Sequence, residues 1–170
     1  MRLVILGAGG YGQTVADLAR QMGLYDRILF LDDNASGPDV VGKCADYLRF
    51  ADPDTQMYPA FGNNESRLAW MNRLEQAGIA LLTLVHDTAY VSPTVQVEPG
   101  SVIMPKAVVN TGCYVKRGCI VNCSAIIDHG CVLEEGVHVC LGAIIKAENR
   151  IPTGSKIEAG QIVQNQTFPV

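Results

Sequence analysis

Charge is scarce in this chain: Asp, Glu, Lys and Arg make up 18% of the residues, with a net charge of -4. There is no basic stripe and no interleaving of basic with aromatic residues, and the pI is near 5.3. That combination excludes nucleic acid as a partner. No apolar run approaches the roughly 20 residues of a membrane helix, so no membrane span is expected. The N-terminal stretch MRLVILGAGG has five apolar residues before its first glycine, too few for a secretory leader. A cytoplasmic protein is expected. Among six cysteines there is no Cys-x-x-Cys pair, and the three histidines make no His-x-x-x-x-His pair. Structural or interfacial zinc is therefore not expected, nor any other metal. No low-complexity linker interrupts the chain, so its parts are expected to pack together.

What is present is a repeat. Cut every six residues from Val91, the first members are Val91, Val97, Ile103, Val109, Val115, Val121, Ile127, Leu133, Val139, Ile145, Ile151, Ile157 and Val163. All are aliphatic. The fourth member is often glycine, and the fifth is usually small, as at Ser101, Ala107, Cys113, Cys119, Ala125, Cys131 and Ala143. A period of six suits neither a helix face nor a hairpin. It suits a parallel β-helix of triangular section, one side and one corner per hexad. The aliphatic residues fill the interior, and glycine supplies the positive φ of a sharp corner. Thirteen hexads at three per turn predict about four coils. Cys113, Cys119 and Cys131 fall on the small inward position and are expected to be buried reduced thiols. Such a β-helix, with flat aliphatic walls and little charge to solvate them, is expected to pack as a homotrimer.

The first half reads differently. Residues 2–6 form an apolar strand, followed by Gly7-Ala8-Gly9-Gly10-Tyr11-Gly12, which satisfies G-x-G-x-x-G. Residues 12–22 read as a helix and Ile28–Leu31 as a strand ending at Asp32-Asp33. Residues 34–56 read as irregular. Met57–Phe61 is a third strand ending at Gly62-Asn63-Asn64, residues 65–77 a second helix, and Ile79–Val85 a fourth strand. The expected fold class is an α/β N-terminal Rossmann-like domain, residues 1–85, followed by an all-β parallel β-helix, residues 86–170. A glycine loop that leaves a strand and opens a helix turns backbone N–H groups toward an anion. Asp32 stands where it could accept from a ribose or base donor. About 85 residues precede the repeat, and the second half of a doubly wound fold is missing. A mononucleotide therefore fits better than a dinucleotide.

His86 lies at the expected domain junction, in a structural role. His129 and His138 fall on the β-helix and are candidates for proton transfer, since imidazole titrates near neutrality; ordinary surface histidines are the alternative.

The order GAGGYG, LDD, FGNNESR, LVHDTAYVSPT and VNCSAIIDHGCVLEEGVHVCLGA resembles the bacterial sugar acetyltransferases of the PglD/NeuD type over nearly the whole chain. The resemblance implies left-handed β-helix trimers with intersubunit active sites. It implies transfer of acetyl from acetyl-coenzyme A to a nucleotide-linked sugar, most often the amino group of a UDP-amino-sugar made for surface glycans. His129 would be the general base, with Asp128 beside it. Gly7, Gly9, Gly10, Tyr11, Asp32, Asp33, Gly62 and Asn63 would hold the nucleotide-sugar. His138, Gly142 and Ala147 would meet acetyl-coenzyme A, with a backbone N–H in that stretch facing the oxyanion. Lys146, Arg150 and Lys156 would face coenzyme phosphates. The chain departs from the family pattern in three ways. Gly130 stands where a carboxylate often follows the histidine. Tyr11 stands where the loop often has histidine. The segment after His138 is about one coil shorter. O-acetyl transfer and a non-catalytic scaffold in sugar biosynthesis remain the alternative functions.

Overall fold

A computed structural model describes all 170 residues. The chain forms two compact units, Met1–Leu82 and Thr83–Val170.

The first unit is built on one parallel sheet. Its elements are β1 (Arg2–Leu6), α1 (Gly10–Met22), β2 (Arg27–Leu31), β3 (Val40–Gly42), a 3-10 segment (Cys44–Phe50), β4 (Thr55–Pro59), α2 (Asn64–Gln76) and β5 (Ala80–Leu81). The strand order is β3-β2-β1-β4-β5. β1 is central because its run of Leu3, Val4, Ile5 and Leu6 is apolar on both faces, and all four are fully buried. α1 buries Val15, Ala16, Leu18 and Ala19, the stripe expected of an amphipathic helix. It ends at Gly23, whose φ of 64° closes the helix with an N–H bond to the Arg20 carbonyl.

The first unit is not the Rossmann-like domain that the sequence predicts. A doubly wound domain covers a long sheet with helices on both faces and carries a second wound half. Only two α-helices and one 3-10 segment flank this sheet, and its outer strands are three and two residues long. All the remaining strands lie in the stacked parallel sheets of the second unit. The chain is thus a parallel β-helix protein with a small α/β sheet at its head, without a separate Rossmann-like domain. Two local expectations change with it. The stretch read as irregular holds β3 and the 3-10 segment. The single strand expected over Ile79–Val85 is two short ones, β5 and β6 (Leu84–Val85), which pair with β4 and with β9 (Val102–Ile103) respectively.

The second unit is the repeat made visible. Fourteen strands of two residues each, from β6 to β19 (Ile162–Val163), form three parallel sheets. Val108 pairs with Tyr90 and with Ile126, so each coil takes 18 residues. From Ile103 onward every first hexad member is buried, and they form one core with Ala107, Cys113, Cys119, Ala125 and Cys131. The corners take left-handed backbone at the fourth position. Glycine fills most of them, but Lys106, Ser124, Glu148 and Gln166 hold the same conformation at φ near 60°. All six cysteines are free, and Cys113, Cys119 and Cys131 are buried as their hexad position predicts. Asn149 is fully buried and ties the last coil together. Its amide donates to the Lys146 and Gln164 carbonyls at 2.8 and 2.9 Å and accepts from the Phe168 N–H at 2.8 Å.

Candidate functional site

In the first unit the glycines of the loop divide into two kinds. Gly7 has φ +102°, and a Cβ there would lie 3.1 Å from the Ala60 carbonyl oxygen. A Cβ at Gly12 would lie 2.0 Å from the Gly7 oxygen, so α1 can sit on the loop only because residue 12 has none. Gly9 and Gly10 face open space, with nothing within 4 Å of an added Cβ. The first pair builds the turn, and the second leaves room above it.

The two helix N-termini also differ. Asn63 caps α2, its Oδ1 accepting from the Ser66 N–H at 2.8 Å, and Glu65 lies in that first turn. Gly9 caps α1 without any side chain, and no acid lies in its first turn. The uncompensated positive end of a helix dipole is therefore at α1. A cleft of about 230 Å³ runs beside it, lined by Ala8, Gln13, Phe30 and residues 35–40.

Several residues expected to hold the nucleotide-sugar turn out to be engaged with the chain itself. Asp32 accepts from three backbone N–H groups: Ala8 at 2.7 Å, Asn34 at 2.8 Å and Ala35 at 2.7 Å. Those N–H groups, Ala8 first, hold its carboxyl below the usual carboxylate range. Asp32 thus fastens the glycine loop to the end of β2. Asp33 accepts from the Cys44 N–H at 3.0 Å. Asn63 is the cap just described, and nothing lies within 4 Å of a Cβ at Gly62. Tyr11 turns its hydroxyl to that of Tyr58, 2.6 Å away, and Tyr58 is fully buried. Burial pushes the Tyr11 phenol well above its ordinary value. The Tyr58 partner carries no sequence signal; it faces Tyr11 only because β4 lies beside β1.

In the second unit the corner after β13 (Ile126–Ile127) presents Asp128 and His129. Asp128 Oδ1 accepts from the His129 N–H at 2.7 Å and lies 3.0 Å from His129 Nδ1. A carboxylate on Nδ1 selects the tautomer with its proton there and its lone pair at Nε2. The His129 backbone N–H, ahead of the imidazole, keeps the Asp128 carboxyl below its ordinary value. Both side chains are exposed, at 56% for His129 and 41% for Asp128, so the imidazole is reachable. Gly130 follows at φ +66°, with Glu148 of the next coil 3.5 Å from where its Cβ would be. Gly130, Glu148, Gln166, Pro169 and Val170 line an open cavity of about 440 Å³ there.

His138 is elsewhere. It belongs to β15 (His138–Val139), in the sheet with Leu84–Val85, Val102–Ile103, Ile120–Val121 and Lys156–Ile157, whereas β13 lies in the sheet with Tyr90–Val91, Val108–Val109, Ile144–Ile145 and Ile162–Val163. Within one chain the fold does not bring the two histidines to one wall. His138 Nε2 lies 3.3 Å from Asn122 Nδ2, and Asn122 Oδ1 accepts from the Cys123 N–H at 2.8 Å. Among the backbone donors expected near an oxyanion, Gly142, Ala143, Ile144 and Lys146 are each taken by a carbonyl of the β-helix; Ala147 is not. Of the three cations, Arg150 pairs with Glu134 at 2.7 Å and Lys156 with Glu158 at 3.1 Å, leaving Lys146 outside the ion pairs. No cluster of three or more His, Cys, Asp or Glu residues forms a metal cage.

Comparison with known proteins decides the family. Residues 2–74 match the family model of the PglD N-terminal domain. The acetyltransferase domain of PglB from Neisseria gonorrhoeae FA1090 superposes with a TM-score of 0.93 at 36% identity, over 97% of this chain and 83% of that one. The chain belongs to the PglD/NeuD-type sugar acetyltransferases. The same PglB domain in complex with acetyl coenzyme A matches at 37% identity and a TM-score of 0.92, over 97% of this chain and 82% of that one. Perosamine N-acetyltransferase from Caulobacter crescentus, in complex with CoA and GDP-perosamine, shares the fold at a TM-score of 0.82 and 20% identity, over 99% and 90% of the two chains. In this PglD/NeuD-type member, the carboxylate beside the exposed histidine precedes it, as Asp128. No helix is long and apolar enough to cross a membrane.

Proposed function

We propose that this protein transfers the acetyl group of acetyl-coenzyme A to the amino group of a nucleotide-linked amino-sugar, with His129 as general base. The observation that carries the reading is the exposed His129 imidazole, its Nδ1 held 3.0 Å from a carboxylate and its Nε2 directed away from that bond. The PglB relative bound to acetyl coenzyme A supports the cosubstrate, and the GDP-perosamine complex supports an amino-sugar nucleotide as acceptor. The acceptor nitrogen attacks the thioester carbonyl as His129 Nε2 removes its proton. The C–N bond forms, the C–S bond breaks, and the proton returns to the departing thiolate. Asp128 holds the tautomer and stabilises the imidazolium. The α1 N-terminus, with Gly9 and Gly10 open above it, binds the diphosphate, and Asp32 keeps that loop in shape rather than touching the sugar. Lys146 is the cation free to meet a coenzyme phosphate, and the Ala147 N–H is a donor left for the oxyanion.

The active species is a homotrimer with sites between subunits. Tyr90, Ile126 and Ile162 stand out from one wall at 55%, 37% and 50% exposure, an apolar stripe that suits a second copy. Because His129 and His138 lie on different walls, His138 contributes to a site based on another subunit's His129. Light scattering should give about three times the 18.3 kDa chain mass; a monomer at micromolar concentration refutes the intersubunit site.

The deciding assay is thioester consumption with UDP- and GDP-linked amino-sugars, beside the same sugars bearing only hydroxyls. Amino-sugars should turn over, and His129→Ala should lower kcat by roughly 10²–10⁴-fold with folding intact. Turnover of hydroxyl sugars alone would make the reaction O-acetyl transfer. Consumption with neither class would leave a scaffold role. A His129→Ala protein as fast as the parent would move the base elsewhere.

A further inference from the structure

The Asp128 carboxylate has a third donor, from a different coil. Asn110 Nδ2 reaches Asp128 Oδ1 at 3.4 Å, with the geometry of a hydrogen bond. The fold fixes this meeting. Val109 pairs with Ile127, so Asn110 stands directly next to Asp128 in the coil before it. Its backbone is fastened by the bond from the Asn110 N–H to the Ile127 carbonyl at 2.9 Å. Asp128 is fastened in turn to the Ile145 carbonyl at 2.9 Å, and its own carbonyl accepts from the Cys113 thiol at 3.0 Å.

We infer that Asn110 is a positioning residue for the base, restraining the Asp128 carboxylate so that Oδ1 stays on His129 Nδ1. The inference rests on the reading of His129 as general base. Three donors converge on Oδ1: the His129 N–H, His129 Nδ1 and Asn110 Nδ2. The His129 N–H holds Oδ1 from within the same corner, and the Nδ1 contact belongs to the ring that must be oriented. Asn110 adds a restraint from a separate coil. An amide suits the task because it donates without adding charge beside an anion. Gly130 makes the restraint matter, since it offers no second carboxylate to hold the ring. The other titratable groups around the pair are Cys113 and Cys131 inside the coil, Lys146 one coil on in the register of Asp128, and Glu148, whose N–H bonds the His129 carbonyl at 3.1 Å. None of them reaches Asp128 Oδ1 with a hydrogen bond.

The test needs no substrate for its first arm. His129 is one of three histidines, so its ring resonances can be assigned with His86 and His138 variants and followed by NMR through a pH titration. Asn110→Asp keeps the side-chain shape, removes the donor and adds a carboxylate; the His129 titration should move to higher pH than in the parent. Asn110→Ala should let the ring populate both tautomers, visible in its nitrogen shifts. In the second arm, turnover of a UDP- or GDP-linked amino-sugar by Asn110→Ala should fall about 5-fold in kcat, with the KM for acetyl-coenzyme A unchanged. Melting temperatures serve as the control for folding. If both variants titrate and show tautomers like the parent, Asn110 merely packs in the wall and the inference fails, while a slow His129→Ala keeps the base reading intact. A fast His129→Ala overturns both.

Discussion

Gly10→Val and Gly12→Ala should separate the two duties of the glycine loop. A Cβ at Gly10 meets nothing within 4 Å and φ there is not positive, so valine costs no protein contact. In a helical first turn, replacing glycine gains a few tenths of a kcal/mol in propensity. Gly10→Val should therefore melt at or slightly above the parent temperature. It should nonetheless lose nucleotide-sugar binding, because the branched side chain fills the space over the α1 N-terminus through which a diphosphate approaches. Gly12→Ala is the reverse case. Its Cβ would lie 2.0 Å from the Gly7 oxygen, well over 1 Å inside an ordinary contact, and the neighbour is backbone that cannot swing away. Overpacking of this kind costs about 1–3 kcal/mol. For a unit the size of Met1–Leu82 that lowers the melting temperature by roughly 5–20 °C. Circular dichroism melts give the first quantity, and calorimetry with UDP, GDP and a UDP-amino-sugar gives the second. NAD is the negative control. A Gly10→Val protein that binds as tightly as the parent would refute the open face as the diphosphate site. A Gly12→Ala protein that melts with the parent would refute the packing argument.

Other outcomes follow from single residues. Asn149→Ala removes the bonds to the Lys146, Ala147 and Gln164 carbonyls and leaves the Phe168 N–H without its partner inside the last coil. It should cost about 2–4 kcal/mol in urea unfolding at fixed protein concentration, and a loss below about 0.5 kcal/mol would sink the account. The Asp32 carboxyl is held low by its three backbone donors, so its stabilisation is full above the ordinary carboxylate value near 3.9 and is lost as pH falls through its folded value. Melts from neutral pH into acid should show the parent weakening on the acid side. Asp32→Asn should be less stable at neutral pH with a flatter acid limb; matching slopes for the two proteins would refute the loop-fastening role.

Much of the β-helix was legible because its physics is periodic. An aliphatic residue every sixth position can be buried by a three-sided coil, and small residues and glycine mark its corners. The register also held information that a linear reading passes over. Asn110 and Asp128 differ by one 18-residue coil, so reading down the coils from the aspartate finds its partner. The first half was harder. Its glycine motif and acidic strand end match a Rossmann pattern, yet the sheet has short outer strands and only two α-helices. A local motif reports how one strand turns into one helix and says nothing of how many elements follow.

Residue type fixed which groups were capable of chemistry, and geometry decided where that capacity is spent. Asp32, Asn63 and Tyr11 all read as ligand groups in sequence. In the structure their polar atoms are committed to Ala8, to Ser66 and to Tyr58. A carboxylate, an amide and a phenol bond whatever donor or acceptor lies within about 3 Å. Sequence order brings the Ser66 N–H to Asn63, a local cap. Only the parallel pairing of β1 with β2 and β4 brings Ala8 to Asp32 and Tyr58 to Tyr11. In the coil the same rule works in the opposite direction. Asp128 and His129 are neighbours in any conformation. The corner exposes the pair, the turn aims the carboxylate at Nδ1, and the previous coil supplies Asn110. The sequence by itself determined the repeat, the corners and the identity of the acid–histidine pair. The tertiary structure decided which polar atoms were left over for a ligand, because a hydrogen bond is set by distance and angle in space.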